Sequence, residues 1–101
     1  MENQIKKIFK TRDEAVIKND LHLFLSTQTG EIAKSGSEGY LKTGKLVSTV
    51  LHVHNDNQDP NLWVVLVQED YFFDGNFSHR SYLLYKIVKQ NKKMLIAEIV
   101  W

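Results

Sequence analysis

No cysteine occurs among the 101 residues of this sequence. Disulfides, a thiol nucleophile and thiolate-bound zinc are thereby excluded, and any metal would need histidine and carboxylate ligands. A reducing, cytoplasmic setting is the compartment expected. Long apolar runs are missing too. The longest, "LWVVLV", is far shorter than a bilayer-crossing helix, and the opening "MENQIKKIFK" has no apolar core of a secretory leader. Charge of one sign is also scarce. Thirteen basic against twelve acidic residues leave +1 and a pI near 8.0, which offers no field for nucleic acid or an anionic membrane.

What is present suits one domain spanning 1–101 with a modest core: 43% hydrophobic and 25% charged residues. In "NQIKKIFKTRDEAVIKND", Ile5, Ile8, Phe9, Arg12 and Val16 share one stripe at helical spacing, while Lys6, Lys7, Lys10 and Lys18 project elsewhere as a solvated face. Asn19 can end this helix and Asp20 can cap a short second one, "LHLFL". "STQTGEIAKSG" reads as irregular or short strand. "SEGYLKTG" reads as a helical turn carrying Tyr40 and Leu41, started by Ser37 and stopped by Gly44. From Lys45 onward four runs rich in Val, Ile, Leu and aromatics read as strands. They are joined by "NDNQDPN" with the single proline, by Asp74-Gly75, and by "QNKK".

Two-residue turns at Asp74-Gly75 and Asn91-Lys92 predict a register. Glu69 is then opposite Arg80, Val67 opposite Tyr82, Val65 opposite Leu84, Trp63 opposite Lys86, Tyr82 opposite Trp101, Leu84 opposite Ile99 and Val88 opposite Leu95. One face carries Trp63, Val65, Val67, Tyr82, Leu84, Val88, Leu95, Ile99 and Trp101. The other carries Val64, Leu66, Leu83, Tyr85, Ile87, Ile96 and Val100. Both are apolar, and the helices can cover only one. The second face is therefore expected to be the interface of a homodimer.

The junction "AVIKNDLHLFLS" and the block "WVVLVQEDYFFDGNFSHRSYLLYKIVKQNKKMLIAEIVW" resemble the nuclear transport factor 2-like superfamily, which includes SnoaL-like and ketosteroid-isomerase-like proteins. The resemblance implies an α+β cone of the cystatin-like type: a long N-terminal helix and short helices packed on a curved antiparallel sheet, paired face to face in a dimer. The family hosts isomerases, dehydratases, small-ligand binders and pure dimerisation modules, so function must come from the site. Its active members place a tyrosine, or an Asp/His or Asp/Arg pair, inside the cone. The first helix here has no tyrosine, and those catalytic sets do not carry over residue by residue.

Several residues are candidates for chemistry. "HVH" puts His52 and His54 on one side of a strand, but a closed metal site needs three or four converging ligands and Asp56 falls in the turn, so no metal is expected. The set Val47, Thr49, Leu51 and Val53 is expected to face inward, leaving the histidines outward. Arg12 stands within an apolar stripe, where a guanidinium is costly unless paired. Glu69 or Glu98 is the expected partner, and an anchor for a carboxylate or phosphate ligand is the functional alternative. Glu69 opposite Arg80 reads first as a cross-strand ion pair and second as a general base. Tyr40, Trp63, Tyr82 and Trp101 could line a cavity for a flat apolar ligand or simply pack. The expected function is non-catalytic binding of a small hydrophobic or weakly acidic molecule, without a cofactor, by Arg12, Tyr40, Trp63, Glu69, Arg80, Tyr82 and Trp101. The alternatives are an isomerase or dehydratase using Glu69, and a dimerisation module with a packed cone.

Overall fold

The structure, a computed structural model, describes residues 2–29 and 40–100. Its elements are α1 (Glu2–Lys18), α2 (Leu21–Leu25), β1 (Lys45–Asn55), β2 (Leu62–Phe73), β3 (Asn76–Gln90) and β4 (Lys93–Val100). The apolar stripe of α1 is buried as its spacing requires, with Ile5, Phe9, Arg12, Ala15 and Val16 at 0–1% exposure. Asn19 ends the helix in the left-handed region at φ 52°, and the Asp20 N–H returns to the Ala15 carbonyl at 2.9 Å. The Asp20 carboxylate then accepts from the Leu23 N–H at 3.0 Å and starts α2.

The four strands form one antiparallel meander in the order β1-β2-β3-β4. Both tight turns lie where turn chemistry puts them. Asp74 and Gly75 have φ 50° and 80° between paired Phe73 and Asn76, and Asn91 and Lys92 have φ 51° and 66° between paired Gln90 and Lys93. Of the expected strand at "STQTGEIAKSG", the described part forms a parallel bridge of Gln28 to Ile96, with Thr29 N–H on the Ile96 carbonyl at 2.8 Å. Its remainder, and Ser37, lie outside the described residues.

Three bulges interrupt the sheet, and the two on β3 and β4 correct the expected register. Ser78 is an extra residue on β3, because Phe72 pairs with Phe77 and Tyr71 with His79. Beyond it Asp70, not Glu69, faces Arg80, and Val67 faces Leu83, Val65 faces Tyr85 and Trp63 faces Ile87. Ala97 is likewise extra on β4, so Val88 still faces Leu95 but Leu84 faces Val100. Leu51 is extra on β1, between Val50 opposite Val67 and His52 opposite Leu66. Each inserted residue bends its strand and increases the local twist.

The faces change accordingly. Leu83, Tyr85, Ile87 and Ile96, expected at a dimer interface, are buried on the inner face together with Trp63, Val65 and Val67, and pack in one cluster with Ile5, Ile8 and Phe9 of α1. Tyr82 and Leu84, expected inside, are 58% and 40% exposed. Val64, Leu66 and Val100 share their outer side by pairing and alternation. On β1 the inward set is Leu46, Ser48 and Val50, with Val53 joining it after the bulge, while Val47 and Leu51 face out. A second core cluster joins Ala15 and Val16 to Phe24, Leu46 and Tyr71.

Candidate functional site

Between the two core clusters lies a charged seam. Along α1, Phe9 belongs to the first cluster and Ala15 to the second, with Arg12 between them. Along β2, Val67 and Tyr71 stand in the same relation to Glu69. Both charged residues are 0% exposed, and Arg12 Nη1 is 3.9 Å from Glu69 Oε2. The expected pairing of Arg12 with a sheet carboxylate therefore falls on Glu69. Glu98 instead pairs with Lys86 at 3.2 Å, with both side chains well exposed.

Glu69 is saturated with hydroxyl donors. Tyr40 Oη donates to Oε1 at 3.1 Å, Tyr71 Oη also donates to Oε1, and Tyr85 Oη donates to Oε2. The Tyr40 and Tyr85 hydroxyls are 3.4 Å apart. Burial raises the pKa of all three phenols, and the nearby Glu69 charge adds to the rise, so they serve as neutral donors. A buried carboxylate is tolerable where its lone pairs are filled in this way.

Arg12 is treated differently. Its guanidinium carbon lies 4.6 Å from the Phe24 ring centre, 5.0 Å from Tyr40, 5.1 Å from Tyr85 and 5.8 Å from Phe9. These faces attract a cation most strongly where water is excluded. Burial alone would lower its pKa, but the electrostatic influence of Tyr85, Glu69 and Tyr40 outweighs that and the net direction is upward. Yet Nε, Nη1 and Nη2 are buried and make no hydrogen bond among the described residues. A guanidinium has five N–H donors in a fixed fork. Among the described residues it is neutralised by one ion pair and by aromatic faces, and its hydrogen-bonding capacity is unused.

Neighbouring Asp13 points to the sheet instead, accepting from the Ser48 N–H at 2.8 Å and the Ser48 hydroxyl at 2.7 Å. Burial pushes its carboxyl up to about 6, against the opposing pull of the Ser48 bonds and Arg12.

Of the residues singled out from sequence, Arg12, Glu69 and Tyr40 come together. Trp63 is buried on the same inner face but packs with the first cluster, six residues along β2 from Glu69. Arg80 and Tyr82 do not join the seam. Arg80 is exposed and bonds Asp70 through Nε at 2.6 Å and Nη2 at 3.3 Å, one residue and one face away from Glu69. Trp101 lies outside the described residues. His52 and His54 are exposed and pair with Leu66 and Val64; among the described residues no three histidines or carboxylates converge.

Sequence reasoning missed Tyr71 and Phe24 and turned Tyr85 outward. A usable signal exists in "WVVLVQEDY", whose alternate residues Trp63, Val65, Val67, Glu69 and Tyr71 form one row, so a core-facing carboxylate there demands buried donors.

No protein-family model and no curated protein matches the chain. Solved structures do. An NTF-2 like protein of unknown function from Shewanella oneidensis MR-1 superimposes with a TM-score of 0.78 at 10% identity, over 98% of this chain and 96% of that one. Delta 5-3-ketosteroid isomerase from Mycobacterium sp. gives 0.62 at 10% identity, over 97% and 92%. A Mycobacterium tuberculosis protein in complex with estradiol-17beta-hemisuccinate gives 0.60 at 12% identity, over 92% and 88%.

Proposed function

We propose that this chain, which has the nuclear transport factor 2-like fold, is a non-catalytic receptor for a small, mainly apolar molecule carrying one acidic group. The observation that carries the reading is Arg12: a fully buried cation among four aromatic rings whose N–H groups bond nothing among the described residues. A carboxylate or similar acceptor would complete it bidentately. The rings would take the apolar body. Tyr40, partly exposed and 5.0 Å from the guanidinium, is the wall whose displacement would uncover it. A similarly folded protein is known with a steroid hemisuccinate, a ligand of this chemical type.

The enzyme reading, with Glu69 as general base, has less support. Both Glu69 oxygens already accept tyrosine hydroxyls, so abstracting a proton would first require breaking one of those bonds. The assembly we infer is a homodimer through the outer sheet face, where Val64, Leu66, Tyr82, Leu84 and Val100 leave apolar surface.

The test is equilibrium binding of estradiol-17β-hemisuccinate against uncharged estradiol, with Arg12→Met alongside. The acid should bind at least tenfold tighter than the alcohol, and Arg12→Met should abolish the difference. Equal binding of the two, or binding of neither, would overturn the reading.

A further inference from the structure

We propose a second site, outside the cone, for a small multiply charged oxyanion of the phosphate or pyrophosphate class. It is a cleft of about 330 Å³ where α1, the residues following α2 and the β3–β4 hairpin meet. That volume is at the lower end for small-molecule sites, which run from about 300 Å³ upward. Lys7 reaches it from α1, and Lys92 and Lys93 from the hairpin, while among the described residues no acidic side chain lines it. Among the described residues the ion pairs engage Arg12, Arg80 and Lys86, and none of the cleft lysines has a carboxylate partner.

Three like charges without a carboxylate partner among the described residues repel each other on one small cleft, in a chain whose net charge is only +1. A bound anion of two or more charges removes that repulsion. Lys92 holds φ 66° at the second position of the two-residue turn, which places it beside Lys93 at the hairpin end of the cleft.

The remaining lining narrows the ligand. The Ser26 and Thr27 hydroxyls already donate to the Leu23 and Phe24 carbonyls at 2.6 and 2.7 Å, which among the described residues leaves the ammonium groups, Gln4 and Thr11 as side-chain donors. Ammonium groups act as compact point charges, suited to phosphoryl oxygens rather than to the planar fork of a carboxylate. Ile8 and Met94, each 8% exposed, give an apolar floor for an organic remainder. A neighbouring hollow shares Lys7 and Thr11 and adds Lys6 and Lys10, but Glu14 borders it and makes it the poorer anion site.

The experiment is a titration of the full chain with sodium pyrophosphate at fixed ionic strength, followed by amide chemical shifts. Saturable shifts confined to Lys7, Thr11, Thr27, Lys93 and Met94 are expected, with inorganic phosphate weaker. The Lys7→Glu/Lys93→Glu variant should keep its fold by circular dichroism and lose at least tenfold in affinity. Arg12→Met should bind pyrophosphate as the parent does, which separates this site from the cone. The proposal is overturned by non-saturating shifts, by equal shifts at Lys45 and Lys86, by shifts centred on Tyr40, or by full affinity in the double variant.

Discussion

Asp13 of α1 holds Ser48 of β1 by two hydrogen bonds, at 2.8 Å from its N–H and 2.7 Å from its hydroxyl, and so fixes the helix across the sheet. The bond to the Ser48 N–H gives a partner to a backbone donor of β1, which is an edge strand of the sheet. Burial is the dominant influence on this carboxyl, and it raises the pKa to about 6 from an ordinary 3.8.

A pH dependence follows. A raised folded-state pKa means that the unfolded chain loses this proton first. The contribution is therefore complete below about pH 4 and is lost as the pH rises through about 6. The difference of roughly two units corresponds to about 2–3 kcal/mol. Urea midpoints of the parent should fall across this range relative to Asp13→Asn, whose amide oxygen can still accept from Ser48. Parallel pH profiles for the two proteins would contradict the assignment.

The Arg12–Glu69 pair should respond unequally to loss of either partner. Glu69→Gln strands a guanidinium that has no hydrogen bond among the described residues, and a cost of about 3–5 kcal/mol is expected. Arg12→Met leaves a carboxylate that keeps three tyrosine donors, and about 1–3 kcal/mol is expected. The double variant should cost less than the sum, and a thermodynamic cycle by denaturant unfolding measures the difference.

The tyrosines should rank by burial. Tyr85→Phe and Tyr71→Phe each remove a donor to a buried carboxylate, at about 1.5–3 kcal/mol. Tyr40→Phe removes a 3.1 Å bond at a partly exposed position, and about 0.5–1.5 kcal/mol is expected. Unfolding curves of the three variants decide the order.

Much of this seam was legible in the sequence and part of it was not, for a definite reason. Arg12 declares itself because a cation breaks an apolar stripe, and both hairpin turns declare themselves through residues that tolerate positive φ. A bulge carries no such mark. Ser78, Ala97 and Leu51 are ordinary strand residues, and what makes them extra is packing between distant segments. Each moves the pairing by one position, and the shift at Ser78 alone is enough to exchange Tyr85 for Tyr82 at the centre of the cone.

The same correction relocates the surface expected to dimerise. With the proposed dimer, the parent should scatter light as a dimer, and Tyr82→Arg and Leu66→Arg, which fall on the outer face, should yield a folded monomer at the same concentration. Leu83→Arg, 6% exposed inside the cone, should fail to fold. A folded, dimeric Tyr82→Arg/Leu66→Arg protein would exclude this face.

The unpaired strand residues also bear on how such a chain tolerates gain or loss of a residue. Removing Ser78 would leave Tyr71 opposite His79 and every later pair intact, so no side chain would change sides. Only the bend would go. For this sheet, a single-residue deletion at a bulge is a change of shape without a change of partners, and the architecture can vary its curvature in evolution while its core contacts are inherited whole.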